Sequence, residues 1–193
     1  MSTSRKKKAL RRLTSARDHK TPVTVTREDL DAYETSGFVI ALTNDWVVLH
    51  ALDGAYLDGV TSLRLDLVTK VRAHQDEAYV MRATDGLGVP LASFECEPDA
   101  TVAELLEGVS TRGEIVGVDL ESRDGDWVNY GKIHHIGKHR VDLQYIGRGG
   151  DWMDFNDAWK LSEITRIEFG GRYIHALELF GNPRPEVLSR KKR

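Results

Sequence analysis

Apolar and polar positions alternate over short stretches through most of this chain, and that period predicts strands. After Pro22, Val23 and Val25 alternate with Thr24 and Thr26, which predicts a short strand. Thr26 with Asp29 forms an imperfect capping box, so one or two helical turns are expected next. Phe38 to Leu42 and Trp46 to Leu52 predict two strands, joined at Asn44-Asp45, residue types that tolerate left-handed turn geometry. Asp53-Gly54 and Asp58-Gly59 predict a loop. Leu63, Leu65 and Leu67 alternate with Arg64 and Asp66, and Val68 to Arg72 extends that strand. Tyr79 to Arg82 predicts a short final strand.

The second half follows the same plan. Glu114 to Glu121, Trp127 to Ile136 and Arg140 to Ile146 predict strands, with turns at Arg123 to Asp126 and at Gly137-Lys138-His139. Gly147 to Asp157 predicts a loop, and Trp159 to Phe180 two strands joined at a Gly-Gly turn. Between the halves, Thr101 to Val109 is the best helix signal: Val102, Leu105, Leu106 and Val109 share one face, and Asp99 or Thr101 caps it.

The halves align. At an offset of 94, Gly37 meets Gly131, Ile40 meets His134, Val47 meets Val141, Leu49 meets Leu143 and Leu52 meets Ile146. At 96, Val68-Thr69-Lys70-Val71 meets Ile164-Thr165-Arg166-Ile167, and at 94 again Tyr79 meets Tyr173. The ordered series points to an internal duplication of a small β unit. A small sheet shields its apolar face by curling or by packing on another, so closed barrels are expected.

The run of strands G-K-I-H-H-I, R-V-D-L-Q-Y-I and S-E-I-T-R-I-E-F resembles that of the small Sm-like or SH3-like barrels, over roughly residues 22–90 and 113–181. The resemblance implies a mainly β fold of two related barrels with a short helical linker. Its expected divisions are a disordered basic arm (1–21), a first barrel (22–92), a helical linker (93–112), a second barrel (113–181) and a basic tail (182–193). The Asp-x-x-Met-Asn-like loop and hydrophobic-Arg-Gly strand end with which Sm proteins hold RNA are absent, so no RNA-pocket residue carries over. Fold alone does not assign function.

Charge changes this picture most. The 193 residues carry a net charge of -3, but residues 5–20 hold eight Lys/Arg against Asp18 alone. Arg184, Arg190, Lys191, Lys192 and Arg193 face only Glu186, leaving 14 bases and 28 acids in residues 21–181. Basic tails on an acidic body point to contact with a polyanion, through Arg5, Lys6, Lys7, Lys8, Arg11, Arg12, Lys191, Lys192 and Arg193. Nucleic acid or a ribonucleoprotein is the partner expected, and a protein partner reached through paired barrels is the alternative. No run of apolar residues is long enough for a transmembrane helix, and no apolar stretch follows the basic N-terminus as in a secretory signal, which suggests a cytoplasmic protein.

Candidate chemistry is sparse. His134, His135, His139 and His175 form a histidine-rich region, but neighbours on a strand point to opposite faces, so surface histidines are expected and no metal site. Asp124, Asp126, Asp151, Asp154 and Asp157 are turn acids without the glycine and terminal glutamate of a calcium loop. Gly147-Arg148-Gly149-Gly150 lacks the strand–loop–helix setting of a phosphate cradle. Cys96 cannot form an internal disulfide and has no activating motif. Of Trp46, Trp127, Trp152 and Trp159, Trp152 is the expected exposed partner contact, because it sits in a Gly/Asp stretch. No catalytic residue and no cofactor is expected, and the reading is a non-catalytic interaction module. A metal protein or enzyme is the third class.

Overall fold

The computed structural model describes residues 3–27, 30, 34–120, 128–186 and 189–190. The chain is mainly β and divides into two compact units, Met1–Ala100 and Thr101–Arg193.

The first unit opens with a helix, α1 (Thr3–His19). Four strands follow: β1 (Pro22–Thr26), β2 (Thr35–Leu42), β3 (Trp46–Asp53) and β4 (Tyr56–Arg64). A 3-10 turn at Leu65–Leu67 leads to β5 (Lys70–Ala73) and α2 (Glu77–Leu87). Neighbouring strands are antiparallel, in the order β4-β3-β2-β1-β5 within the unit.

The second unit begins with α3 (Val102–Ser110). It continues with β6 (Val116–Asp119), β7 (Val128–Ile136), β8 (Arg140–Ile146) and β9 (Trp152–Lys160). A 3-10 turn at Leu161–Glu163, β10 (Arg166–Phe169) and α4 (Arg172–Phe180) complete it, in the antiparallel order β9-β8-β7-β6-β10. A last short strand, β11 (Ser189–Arg190), pairs in parallel with β9.

Several expectations are corrected. The basic arm is not disordered from its third residue to His19: it is helix α1. Ala9, Leu13 and Ala16, spaced by four and three, place a narrow apolar seam along it, and all three are buried. They join a core of Val23, Val25, Val39, Val47, Leu49, Leu63, Leu65, Val68 and Val71. A helix so rich in charge is marginal alone; burial of that seam holds it. The helix expected at Thr101–Val109 forms, with Thr101 and Glu104 closing a capping box, and it belongs to the second unit.

The strand expected from Leu63 to Arg72 is broken by the turn at Leu65–Leu67. In a straight strand Leu65 and Val68 would face opposite sides; the tighter turn rotates the chain so that Leu63, Leu65 and Val68 all reach the core. Leu161 and Ile164 do the same in the second unit, where the Ile164 N–H donates to the Leu161 carbonyl at 3.3 Å. The loops expected at Asp53–Gly59 and Gly147–Asp157 are largely strand, since backbone pairing with β3 and β8 holds β4 and β9 despite their turn-type residues. Tyr79–Arg82 and the stretch after Gly171 are helices, with Val80, Ile174 and Leu177 as their buried residues. No ladder joins β4 to β5 or β9 to β10 among the described residues, so neither sheet closes as a hydrogen-bonded barrel. The helical turns expected after Thr26 fall largely outside the described residues.

The two units bend their sheets at matching places. The β2–β3 register shifts between Val39 and Ala41, and the β7–β8 register between Ile133 and His135. A second shift falls between His50 and Leu52 in one unit and between Gln144 and Ile146 in the other. Such bulges increase the local twist and bend the strand that carries them.

Candidate nucleic-acid interface

The apolar seam of α1 fixes which side its cations present. At about 100° per residue, Lys7, Lys8 and Arg11 stand on the side away from Ala9, Leu13 and Ala16, and all three are exposed. None of the three has an anionic partner among the described residues. Lys6 lies 3.7 Å from Asp45, Arg17 binds Asp18 at 3.1 Å, and the Arg12 guanidinium donates to the Val71 carbonyl of β5. Arg5 lies in the first turn of α1. Lys20 follows the helix in a left-handed conformation, φ 52°, with its side chain exposed.

The structure therefore gathers part of the expected cationic set on one helix face. It gives Arg12 and Lys6 local partners, and Lys191, Lys192 and Arg193 lie outside the described residues. Lys7, Lys8 and Arg11 are free to meet phosphate as point charges or, for Arg11, as a fork. The seam that orients them is faint in the sequence because two of its three members are alanines.

The other candidates resolve as follows. Trp152 is half-buried and packs against Ile115, Ile146, Ile174 and Leu177, so it serves the core of the second unit. Trp46 and Trp159 are buried, and Trp127 lies outside the described residues. His134, His135 and His139 are exposed, with His135 opposite Asp142 across β7 and β8. His175 sits on α4, 3.9 Å from Glu178. Among the described residues no three His, Cys, Asp or Glu come together to hold a metal. Asp124 and Asp126 lie outside the described residues; Asp151 accepts from Asn182 Nδ2 at 2.7 Å, and Asp157 is buried in β9. In the Gly147–Gly150 turn, the Gly147 amide donates to the Asp151 carbonyl at 2.8 Å and the Gly150 amide to the Gly147 carbonyl at 2.9 Å, so these two amides are engaged within the turn. Burial, then the neighbouring Glu97, pushes the Cys96 thiol up and away from reactivity.

Some notable arrangements carry no sequence signal. Tyr130 of β7 and Tyr173 of α4 stand edge to face, 5.1 Å between ring centres, although 43 positions separate them. Leu179 and Phe180, at the end of α4, are exposed, Phe180 by 82%. Comparison with protein-family models, with curated proteins and with solved structures finds no match to this chain.

Proposed function

We propose that this chain is a non-catalytic module that associates with nucleic acid, built from two related Sm-like units, with the outer face of α1 as its backbone-phosphate contact. One observation carries the functional reading: α1 is anchored by Ala9, Leu13 and Ala16, and so holds Lys7, Lys8 and Arg11 outward with no anion beside them among the described residues. A helix held this way keeps its charges in a fixed array. Each phosphate contact releases counterions, which gives salt-steep, sequence-tolerant binding. The acidic remainder of the chain confines that contact to the helix.

The matched element order supports the duplication and the Sm-like reading. Each unit runs helix, four strands, 3-10 turn, strand and helix, with bulges 94 residues apart. A glycine faces a buried polar residue of the neighbouring strand in each: a Cβ on Gly37 would stand 2.5 Å from the His50 carbonyl oxygen, and one on Gly131 would stand 2.2 Å from that of Gln144.

The test is binding of the full chain to pooled RNA and DNA across a salt series, against a variant with Lys7, Lys8 and Arg11 changed to Gln. The seam stays intact in this variant, so its melting temperature is expected to hold. The slope of log K against log salt is expected to fall by about 0.7–0.9 for each contact removed. Equal binding by both proteins, at every salt concentration, sinks the reading.

The exposed pair Leu179 and Phe180 favours a second reading, a docking module for a protein partner. Phe180→Ser would abolish partner capture under that reading and leave nucleic-acid binding unchanged under the first.

A further inference from the structure

We infer that the second unit carries a pocket for one unpaired nucleobase with its phosphate. The cavity has a volume of about 630 Å³ and lies between the start of β7, the turn after β8 and the start of α4. Ligand pockets are typically about 300–1,000 Å³, and a nucleotide fits that range. It is not part of the α1 face, and the two can fail separately.

Its lining has the chemistry such a ligand needs. Tyr173 is the platform: it is 44% exposed, and its ring is held edge to face against Tyr130 at an interplanar angle of 69°. Tyr130 is fixed in turn, because its hydroxyl donates to Glu168 Oε2 at 3.2 Å. Glu168 pairs with Arg166 at 2.7 Å, so its carboxylate does not stand unopposed beside an anionic ligand. Ring order matters here, since stacking on a preformed aromatic face does not have to order the ring first.

Asn129 lines the same cavity, and its Nδ2 is buried with no acceptor among the described residues. Native proteins rarely leave such a donor unanswered; turned toward the cavity, the amide would donate to a base carbonyl or ring nitrogen. Val128 and Ile146 provide the apolar wall. Arg148, exposed on the rim, brings a planar fork suited to phosphate. An aromatic platform, an amide for the base edge and a rim guanidinium describe single-strand recognition rather than duplex recognition, because a paired base has no free face to stack.

The test uses the full chain and a single-stranded RNA carrying 5-iodouridine, photo-crosslinked and mapped by peptide mass spectrometry. Adducts are expected on Tyr173 or Tyr130, competed by unlabelled single strand and not by duplex. Tyr173→Ala is expected to weaken binding roughly tenfold, as loss of one stacked base does, while Tyr173→Phe keeps it. Tyr173→Leu preserves apolar cover over Tyr130 and guards against a variant that merely unfolds; it is expected to weaken binding as the alanine variant does. Competition by a 5′-mononucleotide alone would also support the pocket, and would assign it to free nucleotides instead of a strand. Adducts confined to α1, no adducts at all, or unchanged binding by both the alanine and leucine variants would overturn the pocket. If the Lys7/Lys8/Arg11 variant then still loses binding, the α1 reading stands without it.

Discussion

The imidazole of His50 accepts a hydrogen bond from the backbone N–H of Ala92 at 2.9 Å, through Nδ1. His50 lies on β3 and is buried; Ala92 lies in the segment that follows α2. The acceptor role requires Nδ1 to be unprotonated. Burial pushes the imidazole below its usual range, and Asp58 offsets part of that by favouring the charged form. The folded chain thus holds His50 neutral where the unfolded chain has begun to bind a proton. Between the two pKa values the unfolded state carries more protons, so stability rises with pH there. The stability is fully present above about pH 6.5, the unfolded value, and is lost as pH falls from there through the folded value. Denaturant unfolding at pH 7.5 and 5.5 is expected to show this loss, and His50→Gln is expected to shrink it. The same pH dependence in both proteins would remove His50 as its source.

Gln144 occupies the aligned place in the second unit and fastens the corresponding segment. It is fully buried, and its Nε2 donates to the Met153 carbonyl at 2.8 Å and the Pro185 carbonyl at 3.2 Å. Arg184 donates to its Oε1 at 3.3 Å. Gln144→Leu removes these part-buried hydrogen bonds, a cost of about 0.5–1.5 kcal/mol each. Faster amide hydrogen exchange in residues 182–186 is expected before any change in the sheet, measured on the intact chain.

Gly37 and Gly131 allow their strands to approach the backbone across the hairpin. An alanine at either place would put its Cβ against a carbonyl oxygen that cannot rotate away. Gly37→Ala and Gly131→Ala are each expected to destabilise by about 1–3 kcal/mol, read from denaturation midpoints. A neutral outcome at both would mean that the bulged hairpins can open without cost.

Leu13 is fully buried at the centre of the α1 seam. Leu13→Ala is expected to cost about 2–5 kcal/mol. Deleting residues 1–20 should lower the melting temperature as well as polyanion binding, because the helix covers part of the core. A deletion with unchanged stability would return the segment to the status of a detachable arm.

How much of the fold is legible in the residues follows from the range of each interaction. The alternation at Val23–Thr26, Phe38–Leu42, Trp46–Leu52 and Arg140–Ile146 is written locally, and those strands form. So are the hairpin at Gly137–His139 and the Thr101–Glu104 capping box. Charge is also local, so the cationic character of residues 5–20 was plain.

Where two periods fit the same few residues, only tertiary contact chose. Residues 172–180 alternate well enough for a strand, yet Ile174 and Leu177 reach one core only from a helix. Leu63, Leu65 and Val68 meet one core only because a 3-10 turn rotates the chain between them. In α1 the charges are set by residue identity, but the burial of Ala9, Leu13 and Ala16 puts them on a helix and sets which way they point. The pairing of Tyr130 with Tyr173 lies further still from local pattern. It depends on how the sheet of the second unit brings β7 beneath α4, and no spacing along the chain encodes that meeting.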